Sequence, residues 1–248
     1  MLRVGHIPYL VFEPFFSHLS GFELVRLNPR MLGCAMARGV LDAGPLSLVD
    51  FLRSETALTP LPFGVATRGA AQSVLLFSNR PLSELGGAAL AVSPETSTSF
   101  ELLRILLTLK YEAVPRAWVE TDEPHDAVLL IGDQAIQALK SRPRFSHVVD
   151  LGSEWVQWMG LPFVFARWVV RTSVPDAEQL ALRLALDEGL ERGLAALPGI
   201  AQTRRDTGFS EAEVVSYLNG FINRIGAEEE KAIAEFSRLL AQVEERQC

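Results

Sequence analysis

Thr96, Ser97, Thr98 and Ser99 place consecutive hydroxyls between an apolar run of strand length, Ala88 to Val92, and the helically spaced Phe100, Leu102, Leu103, Leu106 and Leu107. They fall at a helix N-terminus, where the first backbone N–H groups lack partners and the peptide dipoles leave partial positive charge. Such a turn holds anions, carboxylates included, although a plain N-cap has the same residues. Ser47 repeats the pattern: it follows the short strand Leu41 to Pro45, with Asp50 three residues on in an acidic variant of the capping box. A third turn, Gly132-Asp133, joins a strand over Ala127–Ile131 to a helix over Gln134–Lys140. An acid there repels a carboxylate, so Asp133 is expected to cap the helix while Gly132 lets the chain turn sharply. Tyr9 lies in the exit loop of the first strand, Leu2–Ile7, where open α/β sheets bind ligands, and beside Leu10 and Phe12 it is equally suited to packing. Trp168 offers a flat ring to a cyclic ligand or an anchor to the core.

Bulk properties narrow the class. The chain has 248 residues, 48% of them hydrophobic, and a net charge of −7. That charge argues against nucleic acid or an anionic membrane as a partner. No apolar run approaches the ~20 residues that cross a bilayer. The opening MLRVGHIPYL lacks the pattern of a secretory leader, and Cys34 and Cys248 have no metal or redox spacing, so a cytoplasmic protein is expected. His6, His18, His125 and His147 are scattered, and no metal site is expected.

The remaining elements position these turns. Phe22–Leu27 reads as a strand, followed by a helix capped by Asn28-Pro29 and running to about Ala37. Leu58–Ala66 and Gln72–Phe77 read as strands, the second apolar enough to be buried on both faces. Turn residues over Asn79–Gly87 suggest a crossover to a second lobe, and the aromatic strand Phe163–Val170 the return. Arg116–Val119 and His147–Leu151 are further short strands. The helix Pro175–Leu197 is expected to bury Leu180, Leu184, Leu190, Leu194 and Leu197. A helix capped by Ser210 and Glu213 is expected to bury Val214, Leu218, Phe221 and Ile225. The last helix uses Ile233, Phe236, Leu240 and Val243, with Glu228-Glu229-Glu230-Lys231 as a solvated start. The sum is an α/β chain of two lobes, 1–85 plus 171–248 and an inserted 86–170, with polar turns lining the cleft between them. On the residues alone this is a binder of a small anion.

The ordered segments VGHIPYL with Pro14, LDAGPLS (Leu41–Ser47), SVLLFS (Ser73–Ser78), ETSTS (Glu95–Ser99), LLIGDQAI (Leu129–Ile136), DLGSEW (Asp150–Trp155) and GLPFVFARW (Gly160–Trp168) resemble the chorismate dehydratase family of the futalosine route to menaquinone. The resemblance implies a type II periplasmic-binding-protein-like fold with a central interdomain cleft. It also implies loss of water from chorismate to give 3-enolpyruvylbenzoate, by a carbon–oxygen lyase using no metal or organic cofactor. Chorismate carries two carboxylates on a cyclohexadiene, so the helix starts at Thr98-Ser99 and Ser47 could hold one each. Ser73 and Tyr9 are then the candidates to orient the departing hydroxyl or relay a proton, with the substrate's enolpyruvyl carboxylate as base. Val11, Ser47, Gln72, Thr96, Ser97, Thr98, Ser99, Gly132, Asp133 and Trp168 are the expected binding residues.

One departure stands out. The family pattern resembles Tyr-Leu-Asn, two residues, then Pro, whereas this chain has Val11 in place of the asparagine, and an isopropyl group neither donates nor accepts. Gln72 or Glu13 could substitute, and a family tyrosine near Asn223 is also missing. Two other readings remain: a non-catalytic binder of an aromatic or enolpyruvyl acid, and the sister dihydroxynaphthoate synthase of the same pathway. The Tyr-Leu opening and the scattered histidines disfavour the second. The sequence leaves the oligomeric state open.

Overall fold

The computed structural model describes residues 1–141 and 145–246, which leaves Cys248 outside the described residues. Four strands come first: β1 (Arg3–His6), β2 (Glu23–Arg26), β3 (Ala43–Ser47) and β4 (Leu58–Thr67). Five more follow: β5 (Val74–Ser78), β6 (Ala89–Val92), β7 (Ala117–Val119), β8 (Ala127–Ile131) and β9 (His147–Asp150). The chain then adds β10 (Phe163–Arg171) and β11 (Phe221–Arg224). They form two mixed sheets, ordered β11-β4-β10-β3-β1-β2 and β7-β6-β8-β5-β9. Strand β1 runs parallel to β2 and β3, as β6 does to β7 and β8, whereas β10 and β5 are antiparallel to their neighbours.

Helices cover both sheets. The first lobe carries α1 (Glu13–Phe16), α2 (Pro29–Ala37) and α3 (Leu48–Leu52). The second carries α4 (Thr98–Ile105), extended by a wider helical turn to Lys110, then α5 (Gly132–Lys140) and α6 (Leu151–Met159). After β10 come α7 (Asp176–Ala195), α8 (Leu197–Thr203), α9 (Glu211–Asn219) and α10 (Ala227–Glu245). Local chemistry starts several of them: Asn28 accepts the Met31 N–H at 2.8 Å ahead of Pro29, and Ser210 and Glu213 close a reciprocal capping box. Among the described residues no helix is long and apolar enough to cross a membrane.

The lobe boundaries differ from the sequence expectation of 1–85 plus 171–248 around 86–170. Strand β5 belongs to the second sheet, between β8 and β9, and β10 to the first, between β3 and β4. The crossings therefore lie between Thr67 and Val74 and between Asp150 and Phe163. Both strands are buried along most of their length, β5 at every position, and a central position is where such a strand is covered on each side. Asp150 ties the two crossings together: its carboxylate accepts the N–H groups of Ala71 at 3.0 Å, Gln72 at 2.6 Å and Ser153 at 3.0 Å.

Three helical expectations are corrected as well. Leu180, Leu184 and Leu194 of α7 are exposed, the first two at 55% and 60%, and the buried face is Leu182, Leu186, Gly189, Leu190 and Gly193. The glycines decide this, because the α1 backbone lies against them: at Gly193 a Cβ would collide with Pro14 O, and at Gly189 it would meet Phe15 O tightly at 3.3 Å. The helix α9 stops at Asn219, so Phe221 and Ile225 leave it, and the chain turns at Gly220 into β11, which pairs with the otherwise open edge of β4. The acidic start of α10 is not simply solvated: Glu229 is buried and accepts the Gly226 N–H at 2.9 Å, while Glu230 takes Arg167 in a fork at 2.6 and 2.9 Å.

Candidate functional site

A cavity of about 570 Å³ opens between the two sheets. Its apolar wall includes Ile7, Val11, Phe12, Val65, Phe165 and Phe221. Every polar side chain that lines it bears a hydroxyl: Tyr9, Ser47, Ser73, Thr96, Ser97, Thr98 and Ser99. Among the described residues no carboxylate, amine, guanidinium or imidazole does so. Both lobes contribute, Tyr9 and Ser47 from the first and Thr96–Ser99 from the second.

The two hydroxyl turns meet. Thr98 Oγ1 accepts the N–H of Val49 at 3.1 Å, while Ser47 Oγ accepts the N–H of Asp50 at 3.2 Å and donates to its carboxylate at 2.7 Å. The start of α3 is thus capped from within the protein, with the N–H groups of Val49 and Asp50 already taken. The start of α4 is different. Ser97 makes no side-chain cap, and Thr96 Oγ1, on a residue 6% exposed that lines the cavity, has no hydrogen-bond partner. Unpaired N–H groups, the helix dipole and a spare hydroxyl suit one carboxylate at this end.

Ser73 sits where the chain enters β5. Its Oγ accepts a hydrogen bond from the Tyr217 hydroxyl at 2.8 Å and donates to Ala71 O at 3.3 Å. Its carbonyl accepts the Gly132 N–H at 2.7 Å, which anchors it to the start of α5. Tyr9 lies against the same helix start. The hydroxyl donates to the Glu95 carboxylate, and burial, reinforced by that bond, holds the phenol well above its usual range. Its ring covers Gly132, where φ is +59° and a Cβ would come within 2.6 Å of Tyr9 Cδ2, so glycine is required twice over.

Other expected residues are elsewhere. Gln72, at φ +58°, is exposed and off the cavity, since Asp150 holds its backbone turned outward. Glu13 pairs with Arg204, so neither stands in for the absent amide of Val11, whose isopropyl group itself meets the cavity. Asp133 does not cap α5. It accepts the Leu10 N–H at 2.9 Å and pairs with Arg204, burial pushing its carboxyl upward against those two contacts. Trp168 is core, packed on Phe15 and Phe16 with ring centroids 5.5 and 5.4 Å away. Asn223 is buried in β11, away from the cavity lining, and its Nδ2 has no partner. His6 stacks on Phe16 at 4.0 Å, and burial, aided by Arg26 and Arg204, lowers it to about 4.

Sequence reasoning missed Tyr217, Glu95 and Arg204. Tyr217 had a signal, since a tyrosine on the buried face of an amphipathic helix must find a partner for its O–H. Glu95 lay within the quoted ETSTS segment, but only the fold sets it opposite Tyr9. Arg204 gathers Glu13, Asp133 and Asp206 from separate elements, which no local pattern marks.

A family model described as menaquinone biosynthesis matches residues 2–242. The chain belongs to that family. It is 36% identical over 199 residues to a protein named chorismate dehydratase from Thermus thermophilus, covering 71% of this chain and 72% of that one. Among solved structures it is similar to protein AF1704 from Archaeoglobus fulgidus, with a TM-score of 0.80, 16% identity and 97% of both chains covered. It is also similar to the alkanesulfonate-binding protein SsuA from Xanthomonas axonopodis pv. citri, bound to MOPS, with a TM-score of 0.67, 14% identity and 98% and 93% coverage. A Candida albicans protein described as having the generic periplasmic binding protein structural fold is similar at a TM-score of 0.55, with 8% identity and 98% and 94% coverage. These likenesses establish the two-lobed periplasmic-binding-protein-like fold.

Proposed function

We propose that this chain is a cytoplasmic hydro-lyase, a chorismate dehydratase that converts chorismate to 3-enolpyruvylbenzoate. The relative from Thermus thermophilus supports the reaction. The observation that carries it in the geometry is the cavity's polar lining, which consists of hydroxyls without a side chain basic enough to take a ring proton. That suits a substrate bringing its own base. One carboxylate rests at the start of α4 with Thr96 Oγ1, and the ring lies between the apolar walls. The enolpyruvyl carboxylate takes the ring proton as the C–H bond breaks, and Ser73 gives its proton to the hydroxyl leaving as water. The protonated carboxylate then returns a proton to Ser73, so one water is lost overall and the ring becomes aromatic. Tyr9, held protonated by its surroundings with its one proton on Glu95, offers the cavity an acceptor oxygen and is not a base.

The test is to incubate purified protein with chorismate and follow an aromatic enolpyruvyl product by absorbance and mass. Formation of 3-enolpyruvylbenzoate supports the reading. Saturable chorismate binding without product would make the chain a binder of enolpyruvyl acids.

A further inference from the structure

We propose that Tyr217, which lies behind the cavity wall, is a positioning residue for the elimination: by donating its hydroxyl to Ser73 Oγ it aims the serine proton at the substrate's departing hydroxyl. The proposal rests on the lyase reading and adds a residue to it. Tyr217 is 1% exposed and its O–H···Oγ distance to Ser73 is 2.8 Å, whereas the serine's own donation to Ala71 O, at 3.3 Å, is long for an O–H···O bond. One lone pair of Oγ is therefore firmly occupied, and the serine proton is held only weakly by the protein. It is free to turn to a better acceptor in the cavity.

The phenol has little room to do otherwise. Its ring is set between Phe209, 5.7 Å away, and Phe221, 5.0 Å away and edge-on, and Phe221 itself lines the cavity. Burial keeps the hydroxyl protonated well above the usual phenol range, so Tyr217 donates and does not accept the proton. As Ser73 gives up its proton, negative charge grows on Oγ, where a donor already stands in a buried place. When the substrate's carboxyl returns the proton, Tyr217 has neither gained nor lost one. The bond also joins α9 of the first lobe to the start of β5 in the second, so the serine is oriented when the lobes are together.

Tyr217→Phe removes the donor and keeps the ring. Expected is a fall in kcat of about tenfold or more with KM within about twofold, and a circular dichroism spectrum like that of the wild type. In a Ser73→Ala background the same change should lower the residual kcat less than about twofold, because the two residues act as a unit. Tyr217→3-fluorotyrosine, a stronger donor of nearly the same shape, should raise kcat at constant KM. Unaltered kcat in both Tyr217 variants, or an equal loss with and without Ser73, overturns the proposal. A wild type that binds chorismate without converting it overturns the lyase reading, and this inference with it.

Discussion

Thr98 Oγ1 accepts the backbone N–H of Val49 at 3.1 Å, so a residue of the second lobe caps a helix of the first. The cap is also a clasp between lobes. Thr98→Ala is expected to destabilise the protein by about 1 kcal/mol, the ordinary cost of a lost cap, and Thr98→Ser to retain most of it. Urea unfolding midpoints of the three proteins check this.

Gly132→Ala forces a side chain into the left-handed region and against the Tyr9 ring at once. The ring must leave, and its bond to Glu95 goes with it. A loss of about 1–3 kcal/mol and most of the activity is expected. Tyr9→Phe, which keeps the ring and loses only the bond, should fold normally and lose activity. Equal thermal midpoints for Gly132→Ala and the wild type would contradict this steric account.

Val11→Asn places an amide on the cavity where only an isopropyl group now stands. Turnover is expected to rise by about an order of magnitude, the effect of one well-made hydrogen bond of about 1.4 kcal/mol. An unchanged or lower kcat would show a site built around valine, with the hydroxyls of Tyr9 and Ser73 sufficient for the polar contacts.

His6 makes stability depend on pH. Its folded value of about 4 lies below the unfolded value of 6.5, so between them the unfolded chain binds more protons. Its contribution is fully present above about pH 6.5 and is lost as pH falls toward 4. His6→Phe, which keeps a ring against Phe16, should flatten that acid limb. Urea midpoints at pH 7 and pH 5 for both proteins give the comparison.

Much of the site was legible because strand, turn and helix follow one another within a few residues. The hydroxyls at 96–99 and Ser47 are fixed by such local grammar, and both turns reach the cavity. What depended on distant partners was not legible. Leu180 and Leu184 looked like the buried face of α7, yet α1 selects the other side, and Gly189 and Gly193, four residues apart among strong helix formers, were the overlooked mark of a close neighbour. Asn219-Gly220 could be passed over as a helix interior only without knowing that β4 needed an edge partner. Tyr217 and Ser73 are 144 residues apart, and no periodicity reports such a pair.

Asp150 binds both strands of chain that run between the lobes, and so removes their independence. Two separate tethers would permit twisting and sliding. Two that are riveted at one carboxylate act as a single joint, so that neither can shift without the other. Because Gln72 is part of that rivet and Ser73 is the next residue, the serine proposed to give up its proton is held beside the joint of the two lobes.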